Sequence, residues 1–367
     1  MVKNRSLSDF EPEPDLRRAS TLPARWYCDP TLLELEQEKV FAATWQAVGH
    51  TADVAQPGDY FSCECAGEPL IVARGLDGKL RAFSNVCRHR AALLAEGKGH
   101  ATVLRCPYHG WTYQLDGSLH SAPEFEGVLD WRREEVLLPQ AQVETWGPFV
   151  FVRLSPTGPS LLEYLGDIPQ RIREFGCQLE SLRFHARKDY FLDCNWKVYV
   201  DNYLEGYHVP AAHPGLFREL DYKQYQVETF RYYSKHHAPL RPAASDEQNR
   251  RYGQASQSGA LYYWLFPNFM LNIYPDNLSS NIILPLGHRR TLTVFEWFFP
   301  AEQLTSQSDV VHRTLNFSEE IQQEDIRLCE SVQRGLESRS YHQGRFSAAR
   351  ENGVHHFHLL LHEFLTR

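Results

Sequence analysis

The chain has 367 residues, 43% of them hydrophobic and 23% charged, which is enough apolar material for a sizeable core at a length that suggests two domains. Its 38 basic and 46 acidic residues give a net charge of 38 − 46 = −8, which excludes the dense basic face of a nucleic-acid-binding protein, and no apolar run is long enough to span a bilayer. Met1 to Leu22 is polar and mixed in charge, unlike a signal or transit peptide, and eight cysteines are too few for a disulfide scaffold, so the expectation is a soluble, cytoplasmic protein whose Cys and His serve metals.

Residues 1–20 read as a loose arm. From Pro30 to Trp45 apolar residues recur at helical spacing, with Asp29 placed to cap the helix. From about Trp45 to Leu154 short β-rich runs such as YFSCECAG, LIVARG, LRAFSNVC and PFVFVRL are split by Gly, Asp and Pro, which predicts a small antiparallel β domain. Residues 155–180 read as a connection with a short helix. Beyond them YFLDCNWKVYVDNYLEGYH passes from strand to helix. YYWLFPNFMLNIY, SNIILPL and LTVFEWFFP are strongly β-rich, and FSEEIQQEDIRLCESVQRGLES reads as a long helix with Ser318 near its start. The expected division is an arm and helix over 1–44, a β domain over 45–155 and an α+β domain over 156–367.

Within the β domain, Cys87-x-His89 is followed after sixteen residues by Cys106-x2-His109. Two such pairs on two loops can hold two irons, one by two thiolates and the other by two neutral imidazoles, an exchange that raises the reduction potential. Gly97, Gly99, Pro107 and Gly110 supply the tight turns, and Tyr108 and Trp111 could shield the group from water. A zinc site would instead pair Cys with Cys and His with His. The spacing resembles the Rieske [2Fe–2S] motif with no departure at any ligand.

A second set lies at Glu205-x2-His208-x4-His213. Glu205 and His208, three apart, would share one face of a helix. His208 and His213 would not, and Pro210 between them should bend or end that helix. Two His and one carboxylate on one face of iron leave coordination positions open. The carboxylate could be Glu205, or Glu324 or Asp325 from the later helix.

Through these two sets, the stretch from about Trp45 to Ser347 resembles the catalytic subunit of Rieske non-haem iron oxygenases. The resemblance implies a Rieske antiparallel β domain and a catalytic helix-grip domain whose antiparallel sheet grips iron-bearing helices. It implies iron ligation by His208, His213 and Asp325, and a bridging role for Glu205 between the cluster of one subunit and an iron-binding His of the next, in a homotrimer. Ring-hydroxylating members usually carry Asp at the bridge. Glu205, together with EDIRLCESVQRGLESRSYHQGRFS, is similar to the monooxygenases of choline, glycine betaine and carnitine. The implied reaction takes O2 and electrons from an NAD(P)H-dependent reductase, places one oxygen atom in a C–H bond and releases the other as water. The alternatives are an aromatic ring-hydroxylating dioxygenase or aromatic O-demethylase, which would differ only in the pocket, and a non-enzymatic Rieske electron carrier, which would need only about a hundred residues.

Other features carry less. Cys63-x-Cys65 reads as strand packing, and Cys28, Cys177, Cys194 and Cys329 have no ligand pattern. His355, His356, His358 and His362 read as a solvated helix face. Tyr262, Tyr263, Trp264, Phe266, Phe269 and Tyr274 could cage an ammonium group by cation–π attraction, or line a strand of the core.

Overall fold

The computed structural model describes residues 7–241, 259–274, 277–306 and 308–367. Among them no helix is long and apolar enough to cross a membrane. The chain divides into two compact units, Gln37–Tyr164 on the one hand and the residues up to Glu36 with Leu165–Arg367 on the other.

The first unit is a seven-stranded antiparallel sheet with a three-stranded sheet beside it. Its strand Glu68–Arg74 shows why it forms. Leu70 and Val72 enter one apolar cluster with Phe61, Cys65 and Val150, while Ile71 and Ala73 enter another with Phe83, Trp111 and Tyr113. Successive side chains of a strand point to opposite faces, so an unbroken apolar run is buried on both. The second cluster includes Cys87 and Cys106. Cys63 and Cys65 are strand residues, as expected, and burial pushes the Cys65 thiol up to about 12.

The second unit is built on another seven-stranded antiparallel sheet, in the order Leu182–Leu192, Arg290–Pro300, Leu278–Gly287, Phe269–Ile273, Ala260–Leu265, Tyr233–Ala238, Gln226–Thr229. The helix Ser308–Leu336 begins ten residues before the expected start at Ser318. Buried Val311, Thr314 and Phe317 continue its inner face upstream at a spacing of three. It is tied to the helix Trp196–Tyr203 and the sheet by Tyr199, whose hydroxyl donates to Gln322 Oε1 at 2.6 Å, while Gln322 Nε2 donates to Thr293 Oγ1 at 3.1 Å.

Two expectations fail here. From residue 7 onward the N-terminal segment is not a loose arm. Leu7, Phe10 and Ala19 are buried, Asp9 Oδ1 accepts Trp26 Nε1–H at 2.9 Å, and Arg345 Nε donates to Ala19 O at 2.9 Å; further on, Glu36 holds both Lys197 Nζ (2.5 Å) and Trp196 Nε1 (2.7 Å) out of water. The predicted helix from Pro30 changes at Gln37 into a wider π-type turn ending at Phe41. Nor do the C-terminal histidines form a solvated face. His358 is 1% exposed; it accepts the Leu22 N–H at Nδ1 (3.2 Å), and its Nε2–H reaches Asp201 Oδ1 (2.9 Å). His355 Nε2 reaches the Glu13 carbonyl at 2.7 Å. Helical spacing alone does not reveal partners that come from the other end of the chain.

Buried neutral histidines make stability depend on pH. His236 lies between Tyr225 OH (2.8 Å) and Ser234 Oγ (3.1 Å), and burial pushes its pKa down to about 3; burial likewise brings His356 to about 4. Both pKa values lie below the unfolded value of about 6.5, so the unfolded chain binds more protons and stability falls as pH drops from 6.5 toward 3. His236 alone should remove about 2 kcal/mol between pH 7 and pH 5. Melting temperatures across that range should fall, and His236→Asn should flatten the slope; an unchanged slope in that variant would contradict this assignment.

Two candidate metal centres

In the β unit, the loop at Cys87 closes on itself: Ala91 N–H donates to Cys87 O (3.0 Å), and Cys87 N–H donates to Ala92 O (2.9 Å). The loop at Cys106 does the same through Gly110 N–H to Cys106 O (3.1 Å) and Cys106 N–H to Trp111 O (2.7 Å). Gly110 sits at φ +73°, where a side chain would be strained. These turns bring the His89 and His109 rings to 4.6 Å, and Trp111 stacks on His89 at 4.9 Å. Trp111 is buried, but Tyr108 is 55% exposed, so of the two expected shields Trp111 is the inner one. Both sulfurs are buried, and Tyr113 OH lies 3.3 Å from Cys87 Sγ. The same hydroxyl accepts the Arg88 N–H at 2.9 Å, so its own proton is free to point at the sulfur and stabilise a thiolate. Nothing in the spacing of the motif singled out Tyr113. His89 Nδ1 is buried without a hydrogen-bond partner among the described residues, an orphan that an iron of a [2Fe–2S] group would satisfy, and the two-thiolate, two-imidazole donor set fits that group.

In the second unit, Asn195 caps the helix Trp196–Tyr203 by accepting the Lys197 N–H, and the helix stops there. Glu205 therefore lies in a loop, not on a helix face with His208. The turn still joins them: Glu205 accepts the backbone N–H groups of Tyr207 and His208, and its Oε1 takes His208 Nδ1–H at 2.6 Å. Gly206 allows this, because a Cβ there would meet the Tyr225 ring at 2.9 Å. Pro210 does not end a helix; it sits in the first turn of the short helix Val209–Ala212, where a missing N–H costs nothing. His208 and His213 flank that turn.

The ligand atoms of His208, His213 and Asp325 all lie within 4.8 Å of one another. Each imidazole has its Nδ1 on a carboxylate 2.6 Å away, His208 on Glu205 and His213 on Glu324. Nε2 of each then faces Asp325 Oδ1, at 3.8 Å from His208 and 3.0 Å from His213. Three electron-rich atoms so gathered call for a cation, and second-sphere carboxylates on Nδ1 are the usual support for metal-bound imidazoles. Two His and a carboxylate fit a mononuclear iron. A proton answers the same need: burial pushes the His213 pKa down, but the hydrogen bonds and charges of Asp325 and then Glu324 outweigh it and hold it above the ordinary value. Asn202 Nδ2 donates to Asp325 Oδ1 at 2.7 Å, a contact not foreseen from the sequence.

A cavity of about 140 Å³ opens on these three residues. Tyr203, Tyr225, Tyr262, Tyr274, Phe295 and Trp297 form its aromatic wall. Of the aromatic run considered in the sequence, only Tyr262 and Tyr274 reach it. Trp264 packs on Phe357 at 5.5 Å and Phe266 on Phe364 at 4.8 Å, while Tyr263 and Phe269 are buried away from the cavity. Phe295 and Trp297, two apart on one strand face, carried a period-two signal in LTVFEWFFP.

Residues 44–134 match the model of the Rieske [2Fe–2S] domain, and residues 179–367 match that of the ring hydroxylating alpha subunit (catalytic domain). The chain is 38% identical to the chloroplastic choline monooxygenase of Arabidopsis thaliana, over 98% of this chain and 86% of that protein. It is 34% identical to the carnitine monooxygenase oxygenase subunit of Escherichia coli (strain K12), over 94% of each. A solved structure of a quaternary ammonium Rieske monooxygenase, described in connection with carnitine oxidation, superposes with a TM-score of 0.84 at 32% identity, covering 97% of this chain and 98% of that one. Naphthalene 1,2-dioxygenase, at 19% identity and a TM-score of 0.76 over 95% of this chain and 93% of that one, shares the fold.

Proposed function

The chain belongs to the Rieske non-haem iron oxygenases, and from that premise we propose that it is the oxygenase component of a monooxygenase acting on a quaternary ammonium compound of the choline, glycine betaine or carnitine type. The observation that carries the substrate class is the aromatic wall of the cavity beside the two-His, one-carboxylate site. Each aromatic face can attract a trimethylammonium group by ~0.5–2 kcal/mol, and Glu205 and Asp325 add negative charge to the lining. The relatives named for choline and carnitine point the same way.

In this reading Cys87 and Cys106 hold one iron of the cluster, His89 and His109 the other, and His208, His213 and Asp325 hold the mononuclear iron. The two metal groups supply electron transfer and dioxygen activation; overall, O2, two electrons, two protons and a C–H bond give a C–OH bond and water. The protein's own residues prepare that chemistry. Glu205 and Glu324 take the Nδ1 protons, which leaves both Nε2 lone pairs turned inward. Asn202 fixes the Asp325 carboxylate. The aromatic wall keeps water from the reacting carbon. Where the hydroxylated carbon bears the nitrogen, the product collapses to an aldehyde and a freed amine.

The working form is a homotrimer in the cytoplasm, fed by an NAD(P)H-dependent reductase, with Glu205 linking the cluster of one subunit to His208 of the next. All eight cysteines are free, which suits a reducing compartment. Glu205→Ala should keep both metals yet lose turnover by ~100-fold, the upper end for loss of an outer-sphere partner; full activity in that variant would sink the bridging role. The substrate class is tested by dioxygen uptake with a generic reductase and NADH, offering choline, glycine betaine, carnitine and aromatic acids in turn. Uptake coupled to product from an ammonium compound is expected; coupling only to an aromatic acid would overturn the substrate class.

A further inference from the structure

Four neighbouring strands place one row of side chains on the cavity. Their pairing sets Tyr262 opposite Asn272, Asn272 opposite Ser279, Ser279 opposite Trp297, and Asn281 opposite Phe295. All six line the cavity, so its wall has an aromatic part and a polar part made by Asn272, Ser279 and Asn281.

The polar part is a wired sequence of hydrogen bonds. Tyr203 OH donates to Asn272 Oδ1 at 2.9 Å. Asn272 Nδ2 in turn donates to Ser279 Oγ at 3.1 Å and to Asn281 Oδ1 at 2.6 Å. The Asn281 amide is thereby held by its oxygen, with its nitrogen left over. Asn281 is only 2% exposed, and its Nδ2 has no hydrogen-bond partner among the described residues. Buried amide donors without a partner are rare and costly, and this one belongs to a residue on the cavity wall. An unpaired donor on the wall of a ligand cavity is met by an acceptor on the ligand.

We propose that Asn281 donates from Nδ2 to an oxygen atom of the substrate, and so selects ammonium compounds whose chain carries a hydroxyl or carboxylate over their plain alkyl counterparts. This rests on the ammonium reading of the cavity. The substrate is then held at two ends, its trimethylammonium group against aromatic faces and its oxygen on Asn281. The second contact fixes which carbon is offered to the iron-binding residues. A hydroxyl can pair with either end of an amide, whereas a carboxylate pairs only with the N–H, so the two oxygen types separate a donor from a mere polar neighbour.

The test is direct binding by calorimetry to the metal-loaded protein, using choline against ethyltrimethylammonium and γ-butyrobetaine against butyltrimethylammonium. Wild type should favour the oxygenated member of at least one pair by about tenfold, the size of one hydrogen bond. Asn281→Leu should bring that preference to about twofold or less while leaving the oxygen-free compounds within about twofold of wild type, a split that general damage to the fold does not produce. Asn281→Asp keeps the oxygen that Asn272 holds and replaces the free donor by a second oxygen. It should weaken γ-butyrobetaine relative to butyltrimethylammonium by at least about tenfold, and it decides the matter if Asn281→Leu does not fold. A wild type without preference in either pair, or variants that keep it, would overturn the role of Asn281 and leave the ammonium reading standing. Failure of every ammonium compound to bind wild type would overturn both.

Discussion

Replacing His213 with alanine is expected to remove one iron of three per chain while the absorbance of the [2Fe–2S] cluster persists. His213 is 1% exposed, is held by Glu324 at Nδ1, and presents Nε2 at 3.0 Å from Asp325. Without it, His208 and Asp325 retain two donors, too few for the two-His, one-carboxylate set. Turnover should fall by at least ~10³-fold, since the remaining groups cannot activate dioxygen. The variant also takes the imidazole away from Glu324 and from Asp325, which keeps its hydrogen bond from Asn202, so a loss of stability of about 1–3 kcal/mol accompanies it. Iron analysis, the visible spectrum and dioxygen uptake check the three parts. A variant with all its iron and full turnover would remove His213 from the site.

The second large effect is at Cys87. Cys87→Ser should leave the protein without cluster absorbance and with turnover reduced by at least ~10³-fold, because electrons then have no route from the reductase. Its sulfur is buried beside the Tyr113 hydroxyl, in the apolar cluster that also contains Cys106 and Trp111. A neutral serine there offers no thiolate to an iron. The loops of the Gln37–Tyr164 unit should also loosen, since a bound metal group stabilises only the fold that presents its ligands. The mononuclear iron, held in a different unit, should remain. Visible absorbance and iron content of the purified variant are the checks.

How much of this was readable in the sequence depends on how far apart the partners lie. The four cluster candidates fall within 23 positions on two turns rich in Gly and Pro, so their juxtaposition is a local matter. The strands were readable for the same reason: runs such as LIVARG announce strands buried on both faces, and many antiparallel neighbours follow one another, although Leu182–Leu192 pairs with the remote Arg290–Pro300. Asp325 stands 112 positions from His213, and no local period distinguishes it from Glu324. The helix Ser308–Leu336 separates the two, turning Asp325 toward the Nε2 atoms and Glu324 toward His213 Nδ1. The arm expected over residues 1–20 packs instead because its anchors are remote: Ala19 meets Arg345 326 positions away, and Glu13 meets His355 342 positions away. Pro210 was misread because a proline that ends one helix and a proline that opens the next look alike in sequence. The cavity wall mixes loops, helices and four strands, so the sequence reaches it only in fragments: Tyr262 and Tyr274 from the aromatic run, and Phe295 and Trp297 as a period of two.

The measurement that bears most directly on the account is the iron and acid-labile sulfide content of the purified wild-type protein. One [2Fe–2S] cluster and one mononuclear iron predict 2 + 1 = three irons and two sulfides per chain. Two irons with two sulfides would describe an electron carrier without an oxygen-activating site, and metal without sulfide would contradict the cluster itself.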